Sequence, residues 1–291
     1  MKKLLFIVII ISGFSIFLFF SEKGRSVKNI AVSYIKEPSL INANGNTVSS
    51  RILLPEDFSR TVYPERSFQE YLRHYKLLPS GSEVINYDNE PYIYQKGHVG
   101  ILDISVPENG LQQCADALIR IRAEYLWDTG QKDKIGFNFT SGDHCSWSMY
   151  SKGYRPNVNG NKVSFHKTVF EDPSKNNFYK YLNLIFMYSG TQSLYDELDR
   201  VTTVSELQIG DLLIYPGSPG HVIIIIDEMI NSSGDKLFIF AQGNTPAQSI
   251  HIIKNPNNLK MSPWYKIELG ENLEIPTYYF NDVKFIRFKD L

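Results

Sequence analysis

The sequence predicts an α+β fold in which helices occupy the N-terminal part of the domain and an antiparallel sheet occupies the C-terminal part. The clearest amphipathic helix lies at residues 111–127, and short apolar runs separated by turn-forming residues dominate after residue 210. Short strands with short connections between neighbours favour antiparallel pairing. Hydrophobic residues make up 43% of the chain and aromatic residues 13%, so the sequence can bury a substantial core.

The N-terminal segment is the first predicted element. Lys2 and Lys3 precede an apolar run over residues 4–20, which is the pattern of a signal peptide or a short signal anchor. Residues 17–20 are bulky and no small-residue cleavage site follows them, so an uncleaved membrane anchor is slightly favoured. The prediction is a signal peptide or N-terminal membrane anchor over residues 1–21, with the protein exported to the cell envelope, periplasmic or extracellular.

The rest of the chain is predicted to be a polar linker followed by one domain. Residues 22–48 are mostly polar and form the predicted linker. Beyond them there is no Pro/Gly/Ser-rich break, charge block or internal repeat, so residues 49–291 are predicted to form a single globular domain.

The individual elements follow from caps, periodicity and turn signals. Ser67 and Glu70 have capping-box spacing, which predicts a short helix over residues 67–73. Alternation over residues 83–104, with a turn signal at 88–91, predicts a hairpin. Further helices are predicted over residues 111–127, 177–188 and 194–201, and strands over residues 212–215, 222–226, 237–241, 250–253 and 283–288.

Charge and motif content exclude several function classes. The net charge is −1 and no Lys/Arg cluster occurs outside the N-terminus, which argues against nucleic acid as a partner. Membrane contact is expected only through the N-terminal segment. The sequence contains no Gly-rich phosphate loop, and its six histidines show no metal-ligand spacing, so neither a metal nor a cofactor is predicted.

Cys114 is the strongest candidate for a catalytic residue. It lies in the first turn of the 111–127 helix, where free backbone N–H groups and the helix dipole are expected to lower the pKa of a thiol. The same N–H groups can receive an oxyanion during acyl transfer. Two alternatives remain open at this point: Cys114 is a small buried apolar residue, or it forms a disulfide with Cys145.

His221 and Gln242 are the predicted partners of Cys114. His221 follows two glycines at the start of an isoleucine-rich strand, and Gln242 ends the next predicted strand. A nucleophile, a base and a polar orienting residue on separate elements are what cysteine acyl transfer requires. Asn244 or Gln248 could take the orienting role instead. His98 lies in a similar Gly-His-Val sequence, for which a structural role at a strand end is favoured.

The order of these residues is similar to that of papain-like hydrolases. Gly-Asp-Leu at residues 210–212 followed by Gly-His-Val at 220–222 resembles a segment of the NlpC/P60 cell-wall peptidases. The resemblance covers about the C-terminal third and one helix, and it implies a papain-like fold with Cys114, His221 and Gln242 as catalytic residues. It differs at the nucleophile, because the Asp-Cys-Ser-Gly usual in those peptidases is replaced here by Gln113-Cys114-Ala115-Asp116.

A closer resemblance covers nearly the whole domain, from about residue 51 to 288. The chain is similar to the domain of unknown function 4846 family in its motifs at residues 67–73, 111–117, 122–127, 137–142, 217–221, 246–251 and 262–265. Cys114, His221 and Gln242 fall on motif positions of this family, whereas Cys145 does not. The resemblance implies an exported protein and leaves its activity open.

Three functional hypotheses follow from the sequence. The first is a cell-envelope cysteine hydrolase, an amidase or peptidase that acts on cell-wall peptide or glycan. The second is a non-catalytic envelope protein that uses the same fold to bind peptide, glycan or a protein partner. The third is a lipid- or small-molecule-binding protein, which requires a closed apolar cavity.

Overall fold

The computed structural model describes residues 38–291 and, before them, Ser21, Gly24, Val27, Lys28, Ala31 and Tyr34. Apart from Ser21, the predicted signal peptide or anchor lies outside the described residues. Within the described part, no helix combines the length and the apolar character that crossing a membrane requires. Most of the buried apolar side chains of this part form one continuous core.

The described residues contain both helices and strands in a mixed α/β arrangement. The α-helices are Val48–Arg51 (α1), Phe68–Arg73 (α2), Cys114–Asp128 (α3), Trp147–Ser151 (α4), Lys175–Tyr188 (α5) and Thr191–Glu197 (α6), with 3₁₀ turns at Lys132–Lys134 and Val204–Glu206. The first six strands are Phe58–Arg60 (β1), His98–Ile101 (β2), Gly136–Asn138 (β3), His144–Ser146 (β4), Tyr154–Asn159 (β5) and Lys162–Lys167 (β6). The others are Asp199–Val201 (β7), Leu212–Tyr215 (β8), His221–Asn231 (β9), Lys236–Gln242 (β10), His251–Ile253 (β11), Leu273–Glu274 (β12), Tyr279–Phe280 (β13) and Phe285–Arg287 (β14).

A large antiparallel sheet organises the domain, as the apolar runs after residue 210 predict. Its strand order is β2-β11-β10-β9-β8-β14-β7, and β1 pairs with the far end of β9. The central strands β9 and β10 are buried along almost their whole length, so the sheet is covered on both faces. Three small two-stranded sheets, β3-β4, β5-β6 and β12-β13, lie outside it in the described part.

Helix α3 is the main helical cover of the sheet. It packs against β9 and β10, and α5 packs against it in turn. Arg120 and Glu124, which are four residues apart on α3, are joined at 3.0 Å and are both buried. Tyr179 of α5 donates a hydrogen bond to Glu124 at 3.0 Å. Because helix and sheet bury so much of α3, its N-terminal turn is held in a fixed position over the sheet.

The structure shifts several predicted elements. The helix predicted over residues 194–201 begins and ends earlier, as α6, and the residues after it form β7. The hairpin predicted over residues 83–104 is reduced to an isolated bridge between Ile85 and Pro91 and to the strand β2, which joins the large sheet. Part of the predicted linker also contacts the domain, because Leu40 accepts a hydrogen bond from Leu53 N at 2.9 Å and Ile41 pairs with Ile52.

Candidate functional site

Cys114 is the first residue of α3 and lies where that helix meets the sheet. The backbone N–H groups of Cys114 and Ala115 lie close enough to the thiol to favour its ionised form. The N–H of Val222, the residue that follows His221 on β9, does the same. The fold therefore brings the thiol beside the start of the strand that carries His221.

Gly243 allows α3 to approach the end of β10 this closely. A Cβ atom at this position would lie 2.8 Å from the Cβ of Ala117 and 3.1 Å from the carbonyl oxygen of Gln113. The first contact is shorter than real Cβ contacts, and both atoms belong to the first turn and cap of α3. A side chain here would push the Cys114 turn away from Gln242, the neighbour of Gly243.

We expect Gly243→Ala to lower the free energy of unfolding by about 1–3 kcal/mol, because the added methyl group overpacks the junction of helix and sheet. Gly190→Ala is the matched control, since a Cβ atom there meets no atom within 4 Å. The control is expected to cost less than about 1 kcal/mol. Urea unfolding of both variants checks the prediction, and equal losses would contradict it.

His221 is buried at the start of β9, with 3% of its surface exposed. Its Nε2–H donates a hydrogen bond to Oε1 of Gln242 at 2.9 Å. An amide oxygen can only accept, so this bond places the proton of the neutral ring on Nε2 and leaves Nδ1 with the basic lone pair. The rings of Tyr278 and Phe280 lie 4.7 and 5.9 Å from the imidazole, measured between centroids.

Gln242 connects His221 to a second buried histidine. Its Nε2 donates to Nε2 of His251 at 3.2 Å and to Oγ1 of Thr277 at 3.3 Å. His251 in turn donates from Nδ1 to the carbonyl oxygen of Ser249 at 2.9 Å. Each donor therefore meets an acceptor along a hydrogen-bond chain that crosses β9, β10 and β11. This hydrogen-bond chain fixes the tautomers of His221 and His251 and the orientation of the Gln242 amide.

Burial makes both members of the Cys114–His221 pair neutral near pH 7. Desolvation raises the pKa of the Cys114 thiol to about 11, which outweighs the opposing backbone N–H groups. Desolvation also lowers the pKa of His221 to about 4, against the effect of its hydrogen bond to Gln242. The sequence-based expectation of a lowered thiol pKa at the helix start is therefore wrong, because only 8% of Cys114 is exposed.

Asp116 also disfavours the ionised form of the Cys114 thiol. Its Oδ2 accepts a hydrogen bond from Gln113 N at 3.0 Å, whereas its buried Oδ1 has no partner in the described part of the chain. Burial raises the pKa of the Asp116 carboxyl to about 7. When ionised, the carboxylate also raises the pKa of Cys114 through charge repulsion. The pair is thus arranged as a thiol and a neutral imidazole, and no hydrogen bond joins the two among the described residues.

The other sequence candidates lie around this site without joining it. Nδ2 of Asn244 donates a long hydrogen bond of 3.5 Å to Thr277, and Gln248 donates to the carbonyl oxygen of Pro246 at 3.3 Å. Neither side chain is the hydrogen-bond partner of His221, which is Gln242. His98 lies on β2, with its ring 6.0 Å from that of His251. Cys114 and Cys145 are both free thiols, so the disulfide alternative is wrong.

His251 is the site residue that the sequence analysis did not single out. It faces Gln242 directly in the β10-β11 pairing. The available signal was a histidine inside an apolar strand, next to the strand that ends with Gln242. Among the described residues, no group of three or more histidine, cysteine or acidic side chains is arranged to hold a metal ion.

The chain belongs to the family described as Domain of unknown function (4846), which matches residues 48–287. This match confirms the family resemblance seen in the sequence motifs. No curated protein and no solved structure shows a significant match to the chain.

Proposed function

We propose that the protein is a cysteine hydrolase of the cell envelope that cleaves amide bonds and has a papain-like arrangement. Cys114 is the nucleophile, His221 the general base and Gln242 the residue that orients the imidazole. The observation that carries the proposal is the 2.9 Å hydrogen bond from His221 to Gln242, which leaves Nδ1 basic. Support also comes from the Val222 N–H beside the Cys114 thiol, because Val222 directly follows His221 on β9.

The first half of the reaction forms a thioester. As Sγ of Cys114 attacks the amide carbonyl carbon, Nδ1 of His221 takes the thiol proton and the C=O π electrons move to oxygen. N–H groups in the first turn of α3, which have no acceptor within the helix, can stabilise that oxyanion. Collapse of the intermediate breaks the C–N bond, and the departing amine takes the proton from the imidazolium.

The second half restores the enzyme. His221 removes a proton from water, which attacks the thioester carbonyl and breaks the C–S bond. The acid product leaves, and the imidazolium returns its proton to the Cys114 sulfur. A neutral thiol and a neutral imidazole are suitable starting states, because the proton moves during the attack and no ion pair is needed beforehand. Gln242 holds the imidazole in the same tautomer and orientation in both halves.

The experiment is a hydrolysis screen of the full-length protein against cell-wall peptides and synthetic peptide amides, with products identified by mass spectrometry. Cys114→Ala is expected to lower kcat at least about 10³-fold, whereas Cys145→Ala, the matched free-thiol control, should retain activity. We expect kcat/KM to rise through pH of about 4, where His221 loses its proton, and to stay level towards the Cys114 pKa of about 11. Full activity in Cys114→Ala would contradict the assignment.

A second candidate function is a non-catalytic envelope protein that binds peptide, glycan or a protein partner. The specific observation in its favour is burial: 8% of Cys114 and 3% of His221 are exposed, and Tyr278 lies against the imidazole. Alkylation of the folded protein across pH, with mass mapping, distinguishes the two functions. A hydrolase should show Cys114 labelling that rises with pH and slows in His221→Ala. Labelling only after unfolding would favour the binding protein.

A further inference from the structure

A cavity lies beside the β12-β13 hairpin, whose connecting residues contact the candidate active site. It has a volume of about 510 Å³ and is bounded by the 255–266 segment and by the β12-β13 hairpin. Glu274 and Tyr279 of the hairpin line it. Between them in the chain, Thr277 accepts a hydrogen bond from Gln242 and Tyr278 lies against His221. The hairpin therefore forms a wall of this cavity on one side and contacts the candidate site on the other.

The floor of the cavity is apolar. Leu237, Trp264 and Leu273 line it and are buried at 9%, 1% and 7% exposure. The Trp264 indole N–H is already satisfied by the carbonyl oxygen of Leu53, so this side chain presents no unpaired donor to the cavity. Met261 adds a partly buried thioether at the edge of the floor. Such a floor favours methyl groups and ring C–H faces.

The rim of the cavity is built from amide side chains. Asn257, Asn258 and Asn272 line it and are exposed. Nδ2 of Asn257 donates a hydrogen bond to the carbonyl oxygen of Glu274, and Oδ1 of Asn258 accepts one from Met261 N. Their other amide atoms, and both polar atoms of Asn272, make no hydrogen bond to the described residues. An amide offers a donor and an acceptor, so the rim suits a ligand with several hydroxyl or amide groups.

The charges at the rim are few and are paired. Lys266 lies 3.8 Å from Glu268, and Glu274 lies 3.2 Å from Lys28. An anionic ligand such as a nucleotide would need an excess of cationic groups, which this rim does not supply. A ligand matched to the cavity is therefore uncharged, rich in hydroxyl groups and equipped with a small apolar group for the floor.

We propose that this cavity binds N-acetylated sugar, with the acetamido methyl group on the apolar floor and the hydroxyl and amide groups on the asparagine rim. The volume is within the range of small-ligand sites, about 300–1,000 Å³. The inference goes beyond the proposed hydrolase function and does not rest on it, because no cavity residue belongs to the Cys114–His221 pair. The shared hairpin places a bound sugar next to the candidate active site.

The experiment is calorimetric or NMR titration of the full-length protein with tri-N-acetylchitotriose, with maltotriose as the sugar that lacks acetamido groups. We expect saturable binding of the first and at least tenfold weaker binding of the second. Asn272→Ala should weaken binding about fivefold to tenfold, which corresponds to one or two hydrogen bonds. Asn161→Ala, an exposed asparagine in the β5-β6 turn, is the matched control and should have no effect.

Two further variants separate this inference from the proposed catalysis. Met261→Gln makes the floor more polar and should reduce the preference for the acetylated sugar. Cys114→Ala should bind the sugar as the natural protein does, even if hydrolysis is lost or was never present. No binding of tri-N-acetylchitotriose, equal binding of both sugars, or equal effects of Asn272→Ala and Asn161→Ala would each overturn the inference.

Discussion

Gln242→Met is expected to lower the free energy of unfolding by about 2–5 kcal/mol. The side chain is fully buried, and methionine has a similar volume, so the change removes the amide without opening a large cavity. His221 Nε2–H then loses its acceptor, and His251 Nε2 loses its donor. A buried polar group left without a partner costs about 1–3 kcal/mol, and two such groups are left here.

Gln248→Met is the matched control for this prediction. Gln248 is equally buried, but it makes one 3.3 Å hydrogen bond to a carbonyl oxygen, and its Oε1 has no partner among the described residues. Its replacement removes an amide that is already poorly satisfied, so the change is expected to stay within about 1 kcal/mol. Urea denaturation at neutral pH gives both values. Equal losses would mean that the His221–Gln242–His251 chain adds nothing beyond the burial of an amide.

The strands of the large sheet could be predicted where they are purely apolar, and were missed where they contain charges. The run 222–226 predicts only the first half of β9, because Asp227 and Glu228 interrupt the apolar pattern. In the structure both are fully buried, and Asp227 is bound by Arg60 at 2.7 Å and by Arg73 at 2.8 Å. Both arginines are far from Asp227 in the sequence, so local sequence patterns do not indicate that its buried charge is compensated.

The position of the candidate site could be predicted better than its chemistry. The start of a helix and the start of a strand are local properties, so Cys114 and His221 could be located from caps, glycines and apolar runs. Their pKa shifts depend on how completely α3, the sheet and residues 275–280 exclude water, and this is a tertiary property. The same reason explains why His251 was missed, since its role follows from its register with Gln242 on β10.

The buried histidines are expected to make stability fall as the pH drops from about 6.5 to 4. Burial lowers the pKa of both His221 and His251 to about 4, from an ordinary value of 6.5. In this window the unfolded chain binds the protons that the folded chain excludes, so each histidine removes stability as the pH falls. At pH 4.5 the loss is about 2–3 kcal/mol for each histidine, measured from neutral pH.

Asp116 has the opposite effect on how stability depends on pH, so the histidine contribution has to be measured by comparison with a variant. Its pKa is raised to about 7 when folded, so the folded state binds the proton more tightly and gains stability as the pH falls through 7 towards 4. The total curve of the natural protein is therefore shallower than the histidines alone would make it. His251→Asn removes one histidine contribution and retains a side-chain N–H for the Ser249 carbonyl oxygen.

The free energy of unfolding of the natural protein should consequently fall by about 2–3 kcal/mol more than that of His251→Asn between pH 7.5 and 4.5. His166→Asn, at an exposed histidine of β6, is the matched control and should give a curve parallel to that of the natural protein. Urea unfolding at closely spaced pH values measures all three curves. If the curve of His251→Asn is also parallel to that of the natural protein, burial does not hold His251 neutral. The hydrogen-bond chain from His221 through Gln242 would then not extend to His251 in the tautomer described above.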